Sequence, residues 1–309
     1  MKITDTRNDF LGGKISKPDF IQAMYQAHHS KLFDYANYLK QTNIASIEIS
    51  DDRVILISRD KGVKMICPIG DYRVAPVEAL NFLDYETTDS AMIMHLVSPN
   101  DCVLDIGANM GWYSINIAKT YPQSNVHAFE PIPKTYSFLE QNIKLNEVEN
   151  VTSHHFGLSS ERKDITFYFY PEGGVNASSA NLSERVDAEL ITCHVERLDD
   201  FVNVNKLKID FIKCDVEGAE LFVYQGAIET LQRDKPIVFT EMLRKWAAKF
   251  NYHPNEILNL FASIGYRCFF ADGATLKELF VMTDETTQTN FFFLHSEKHR
   301  QSIEKLTNR

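Results

Sequence analysis

Acidic side chains able to act on a bound molecule collect at two points of this 309-residue chain. Asp215, Glu217 and Glu220 fall in DVEGAE, directly after the apolar run 209–214, and Glu241 closes the apolar run 237–241. Carboxylates this close raise one another's pKa, so beside a cleft they are costly as mere decoration. Set against a hydroxyl, one of them serves as a general base, and the order of preference is Asp215, then Glu217 and Glu241. Acids after a strand also begin the next helix, where the positive end of the helix dipole favours them. Glu220 suits that role best. His154 and His155 are weaker candidates, because neighbours in a strand point to opposite faces and only one of them can face a site.

The other chemistry-bearing stretch is residues 101–130, DCVLDIGANMGWYSINIAKTYPQSNVHAFE. It reads as a short buried strand, a turn holding Gly107 and Gly111, an amphipathic helix, and a second strand ending at Glu130. A helix opening after Gly111 leaves backbone N–H groups free for a ligand's carboxylate or phosphate. Glu130, roughly twenty residues beyond the glycines, arrives beside them, where a carboxylate accepts both hydroxyls of a ribose. A dinucleotide-binding turn would read GxGxxG, and the corresponding positions here are Gly107, Asn109 and Trp112. Without the second glycine the backbone does not approach a pyrophosphate closely, and no GK[ST] follows to make a P-loop. The pattern suits a cofactor with a ribose and an amino-acid tail but no phosphate. S-adenosylmethionine has those parts.

The elements that must position these residues alternate along the chain. After Glu130 the pattern predicts a helix over 133–145, strands at 151–156, 164–170 and 191–195, and then the strand 209–214. A helix over 218–232, the strand 237–241, a helix over 254–263 and strands at 266–270 and 290–294 complete it. Such alternation argues for an α/β fold with a mostly parallel sheet covered on both faces. Lys213, just inside its strand, is expected to point to the opposite face from the acids. The small-residue segment 173–183 reads equally as a lid over the substrate or as a surface loop. Upstream, apolar spacing predicts a helix over 18–40 with one buried face, after a dozen loosely held residues. An antiparallel meander at 44–49, 53–58 and 63–67 follows, then a helical segment from about residue 84 to 97. The appendage, residues 1–75, shows no chemistry of its own. It could pack on the main domain, cover its mouth or form a contact in a homo-oligomer.

Composition narrows the partners. A formal charge of −10 and the lack of a basic run disfavour nucleic acid, whose binding depends on clustered Lys and Arg. Five scattered cysteines without a CxxC pair suit reduced thiols and argue against a disulfide framework or a zinc site. No apolar stretch reaches the length of a membrane span or a signal-peptide core, so a cytoplasmic protein is expected.

Four motifs, in order, carry a family resemblance: LDIGANMGWYS, AFEPIPKTYSFLEQNIKLN, IKCDVEGAE and PIVFTE. Over residues 101–241 the chain resembles the FkbM-type S-adenosylmethionine-dependent methyltransferases. The resemblance extends more weakly to Asn290 and Phe291. It implies a Rossmann-like class I methyltransferase, with a seven-stranded sheet whose last strand is antiparallel, formed here by residues 76–309. The implied reaction is O-methylation of a hydroxyl on a sugar, glycan or secondary metabolite. Carried onto this sequence, Asp105, Gly107 and Gly111 shape the methionine end of the pocket, and Asn109, Tyr113 and Ser114 hold the amino acid's charged ends. Glu130 takes the ribose, Phe129 and Pro131 flank the adenosine, and Gly157 and Leu158 lie near adenine. Asp215 and Glu217 face the methyl group, and Tyr85 with Glu86 closes over the cofactor. Mg²⁺ between Asp215 and Glu241 is a second version of the chemistry that nothing requires, and no metal is assigned. Two readings from other classes stay open: a non-catalytic cofactor-binding protein of the same fold, and a nucleotide-ribose methyltransferase.

Overall fold

Three short runs separated by polar turns, Ile44–Ile49 (β1), Val54–Ser58 (β2) and Lys64–Cys67 (β3), pair antiparallel into a meander. They belong to a computed structural model that describes residues 2–82, 85–170, 178–182 and 188–307. The five-residue run Cys102–Ile106 (β4) is buried at every position, as expected of a strand covered on both faces. The remaining strands are Asn125–Phe129 (β5), Val151–His154 (β6), Gly157–Ser159 (β7), Lys163–Phe169 (β8) and Glu189–Arg197 (β9). Phe211–Cys214 (β10), Ile237–Glu241 (β11), Tyr266–Asp272 (β12), Thr275–Leu279 (β13) and Asn290–His295 (β14) follow.

The main sheet has eight strands in the order β13-β12-β14-β11-β10-β4-β5-β6. The five from β6 to β11 run parallel, and β14 is antiparallel to both of its neighbours. The sheet is therefore mixed and one strand larger than the seven expected. The extra strand arises because Gly273, at φ +60, turns the chain tightly after β12 and lets the polar run TLKEL pair back along it. The segments read as further strands of this sheet, β8 and β9, instead form a separate three-stranded sheet with β7, in the order β7-β9-β8.

Alternate residues of β4 go to opposite faces. Leu104 and Ile106 pack with Leu198, Leu231, Ile257 and Phe261, while Val103 packs with Ile93, Ile115 and Phe292. Ile44, Leu56 and Met65 of the meander join that second cluster, so the appendage shares the core of the main sheet. A second tie comes from the helix Pro133–Leu145. Asn142 Oδ1 accepts the Ile66 N–H at 2.9 Å and Asn146 Oδ1 accepts the Lys64 N–H at 2.8 Å. The Asn142 amide also donates to the Met110 carbonyl at 2.9 Å, inside the glycine turn.

Three expectations fail. The N-terminus is helical from Ile3 to Leu11, not loose. The segment beyond it breaks into Lys17–Met24, a wider turn Tyr25–His29 and Ser30–Tyr38, with no buried residue in any of the three. Leu32 and Phe33 are 55% and 62% exposed, so helical spacing of apolar residues did not mean a buried face. The helix predicted over 218–232 is also divided, into Glu220–Gln225 and Ile228–Asp234. A Cβ on Gly226 would lie 2.1 Å from the Ser159 carbonyl, so the chain pinches there against β7.

Candidate active site

The strand order reverses between β4 and β10, and ligands of open α/β sheets collect at such a point, outside the carboxyl ends of the strands. A cavity of about 610 Å³ opens there, within the usual range for a ligand site. Its floor is the turn after β4. Gly107 has φ +72, and a Cβ there would lie 1.9 Å from the Asp215 carbonyl, so only glycine fits between the two strand ends.

Glu86, Gly107, Asn109, Tyr113, Glu130, Pro131, Gly157, Leu158, Asp215, Glu217 and Glu241 all line the cavity. Four other expected cofactor residues stand behind its wall. Asp105 is fully buried and accepts the Ser114 N–H at 3.1 Å and the Ser114 hydroxyl at 2.6 Å, so this pair anchors the helix Trp112–Thr120 to the strand. Gly111, at φ +90, lets that helix start close against Leu139. Phe129 turns away to stack on His154 at 4.7 Å. These four residues shape the wall and do not line the cavity.

At one end of the cavity, Glu130 Oε2 accepts the Asn109 N–H at 3.1 Å and Oε1 accepts the Ile132 N–H at 2.9 Å. The side chain is fixed, and each oxygen keeps a lone pair for a hydroxyl. Burial pushes its carboxyl up to about 7, against the pull of those two N–H groups. Asn109 takes φ +51, and its Oδ1 accepts the Met110 N–H at 2.7 Å, which stiffens the turn.

At the other end are four carboxyls. Asp215 lies 3.7 Å from the Lys213 ammonium. Glu217 occupies the left-handed region, φ +55, and burial, then Asp215 and Glu220, push its carboxyl well above the usual range. Burial raises Glu241 to about 10, with Asp215 and Glu217 adding to it. Glu86 accepts from the Tyr113 hydroxyl and from the Asn290 amide at 3.3 Å, and burial raises it as well. Glu220 does not line the cavity. It ties the turn, accepting the N–H groups of Val216 and Gly218 at 3.1 and 3.0 Å and the Tyr252 hydroxyl at 3.3 Å, and it begins a helix as the sequence suggested. His154 pairs with His127 at 3.0 Å and His155 stacks on Tyr136, both away from the cavity.

Lys213 and Asn290 were missed as site residues. Lys213 points into the site, not away from it, because residues two apart in a strand share a face and Asp215 is its i+2 neighbour. Its ammonium bonds the Gly107 carbonyl at 2.7 Å and lies 3.4 Å from Asp105, its register partner in β4. Asn290 sits opposite Glu241 across β11 and β14. The outer wall is made by Arg73, Leu243, Trp246 and Phe250, together with Ile165 and Phe167 of β8. Of the segment read as a lid, 173–177 and 183 lie outside the described residues. Ser178 donates to the Glu217 carbonyl at 2.9 Å, and Ser179 lines the cavity.

The residues present fit S-adenosylmethionine. The cradle at Gly107 admits no Cβ, Glu130 offers fixed acceptors for a diol, and the carboxylates at the far end suit a cation. Among the described residues no group of three or more His, Cys, Asp or Glu is placed to hold a metal ion.

Three curated relatives are similar over part of the chain. Methyltransferase 1 of Beauveria bassiana is 33% identical over 41% of this chain and 59% of its own length. The hexuronic acid methyltransferase AglP of Haloferax volcanii is 32% identical over 46% of this chain and 56% of its own. The 31-O-demethyl-FK506 methyltransferase FkbM of Streptomyces tacrolimicus is 29% identical over 45% of this chain and 65% of its own. The chain thus spans less than two thirds of each of these three. The model of the methyltransferase FkbM domain matches residues 105–268, from the buried Asp105 of β4 to β12, which is more than half of the chain. The chain belongs to the FkbM methyltransferase family.

Proposed function

We propose that the chain is an S-adenosylmethionine-dependent O-methyltransferase of the cytoplasm whose acceptor is a hydroxyl on a sugar, a glycan or a secondary metabolite. Residues 76–309 form its catalytic domain and residues 1–75 an appendage. The observation that carries this reading is the division of one cavity into two ends: a fixed diol acceptor, Glu130, and a group of carboxylates around Asp215. The names of two relatives, which specify a hexuronic acid and 31-O-demethyl-FK506, favour a small oxygen-rich acceptor. The net charge of −10 disfavours a nucleic acid, and among the described residues no helix is long and apolar enough to cross a membrane.

S-adenosylmethionine supplies a methyl group on a cationic sulfur, already activated for in-line displacement. The chain's own task is alignment, which can lower a barrier by roughly 7–11 kcal/mol when the reacting atoms are held in an attack-ready pose. Glu130, with the glycine turn, fixes the ribose end. Asp215, oriented by Lys213, takes the hydroxyl proton, a contribution on the order of 10²–10⁴ in rate. Trp246 and Phe250 exclude water on the acceptor side.

Calorimetric titration with S-adenosylmethionine and with NAD tests the cofactor, and a panel of hydroxylated metabolites and glycans tests transfer of a labelled methyl group. Tighter binding of NAD, or no binding of S-adenosylmethionine, overturns the reading.

A further inference from the structure

Six carboxyls line the cavity; Glu130 is held by the Asn109 and Ile132 N–H groups, Glu78 feels the Arg73 guanidinium, and of the other four the protein supplies partners to only two. Glu86 accepts from Tyr113 and Asn290, and Asp215 faces Lys213. The side chains of Glu217 and Glu241 accept no hydrogen bond and form no ion pair among the described residues; only their backbone carbonyls are engaged, by Ser178 and Thr240. Both side chains nevertheless line the cavity.

The cations within reach do not offset the acids: Arg73 and Lys213 pull the Glu217 carboxyl down, but burial, Asp215 and Glu220 outweigh them. Among the described residues the single buried ammonium is Lys213, which already serves the Gly107 carbonyl, Asp105 and Asp215. Three further cations reach the cavity's rim. Lys163 pairs with Glu161 at 2.7 Å, Lys245 stands 4.1 Å over the Trp246 ring, and Arg73 is exposed. Two half-buried acids that share one cavity and have no side-chain donors cannot both stay ionised at low cost.

We propose that Glu217 and Glu241 form a proton-exchanging seat for the cationic sulfur of S-adenosylmethionine, holding a proton while the cofactor's positive charge is absent and giving it up when that charge enters. This rests on the cofactor reading above. It adds that the seat distinguishes the cationic cofactor from its uncharged product, S-adenosylhomocysteine. The charge environment supports it. Glu241 is faced by Asp215, Glu217 and Glu220 from the turn after β10 and by Glu86 and Tyr85 from the segment before the helix Thr87–Leu96. Burial first, and the neighbouring acids second, hold Glu241 at about 10; burial, then Asp215 and Glu220, hold Glu217 well above the carboxylate range against the pull of Arg73 and Lys213.

The proton balance closes over one turnover. The acceptor oxygen forms its bond to the methyl carbon, the carbon–sulfur bond breaks, and that electron pair stays on sulfur as a neutral thioether. The acceptor's proton, first taken by Asp215, is then retained by the Glu217–Glu241 pair, whose affinity for it rises as the positive charge disappears. Product release leaves the seat protonated, and the next cofactor expels that proton to solvent.

The test is calorimetric titration of the full chain with S-adenosylmethionine and, separately, S-adenosylhomocysteine, in phosphate and in Tris at pH 7, 8 and 9. The ligands share their amino and carboxyl groups, so those titrations cancel in the difference. The expected difference is close to one proton released per cofactor bound, with cofactor affinity gaining about tenfold per pH unit relative to the product. In Glu217→Gln/Glu241→Gln the cofactor still binds and the difference disappears. Equal proton counts and equal pH slopes for the two ligands in the unmodified chain overturn the seat and leave the cofactor reading standing. Failure to bind S-adenosylmethionine overturns both.

Discussion

The Lys213 ammonium stands 3.4 Å from the Asp105 carboxylate, and the two side chains are 5% and 1% exposed. A buried pair of this kind is costly to form but costlier to break, since removing one partner strands a charge in the core. Lys213→Met is expected to lower unfolding free energy by about 3–5 kcal/mol. Urea unfolding measures it, and a loss below about 1 kcal/mol would show that the pair behaves like an exposed one. Lys213→Met/Asp105→Asn, which removes both charges, should recover much of the loss.

Asp215→Asn keeps the size of the side chain and removes its basicity. Cofactor affinity should change little, while turnover should fall by about 10²–10⁴-fold. Single-turnover kinetics with saturating cofactor separate the two effects, and unchanged turnover would move the base to Glu217 or Glu241.

Burial holds the carboxyls of Glu130 and Glu220 at about 7, up from an ordinary 4.5. Both are raised, so between these values the folded protein binds more protons than the unfolded chain. Their contribution to stability is therefore complete below pH 4.5 and lost as the pH climbs through about 7. The full swing is roughly 3 kcal/mol per group, from the size of the shift. Urea midpoints from pH 5 to pH 8 should fall in this chain and fall less steeply in Glu220→Gln. A midpoint that rises over that interval would contradict the assignment.

Asn142 bonds Ile66 of the meander and the carbonyl of Met110 in the glycine turn, at 2.9 Å in both cases. Asn142→Ala leaves a buried donor and acceptor unpaired and should cost about 2–4 kcal/mol. Because Met110 adjoins Asn109, cofactor affinity should weaken as well, which titration calorimetry on the folded variant detects. Asn142→Asp, which keeps the acceptor for Ile66 but not the donor to Met110, should lose affinity more than its stability loss alone implies.

The centre of this protein is legible in the sequence because its signals are local. The apolar runs of β4, β10 and β11 lie within a residue or two of their observed limits, and acids at the ends of β10 and β11 were bound to meet at the switch point. Glu130 was readable for the same reason, one strand after a glycine turn. The periphery was not. Leu32 and Phe33 carry helical spacing but no partner surface, and spacing alone does not report what lies opposite. β8 and β9 alternate like strands of the main sheet, yet pairing partners are a long-range property: β8 pairs with β9, and β9 with β7. Asn290 meets Glu86 across more than two hundred positions of chain, a contact no local pattern encodes.

Asn142 of the helix Pro133–Leu145 and Asn146, which caps it, have one more consequence. β3 is the outer strand of its meander, and its exposed ladder would ordinarily be a template for another chain. Asn142 and Asn146, one helical turn apart, occupy the outward N–H groups of Ile66 and Lys64, and the Asn146 amide donates to the Lys64 carbonyl at 2.6 Å. Two side chains thus stand in for a missing fourth strand. That rim of the sheet is closed to foreign strands, and the protection against edge-to-edge aggregation comes from the same helix that follows Glu130.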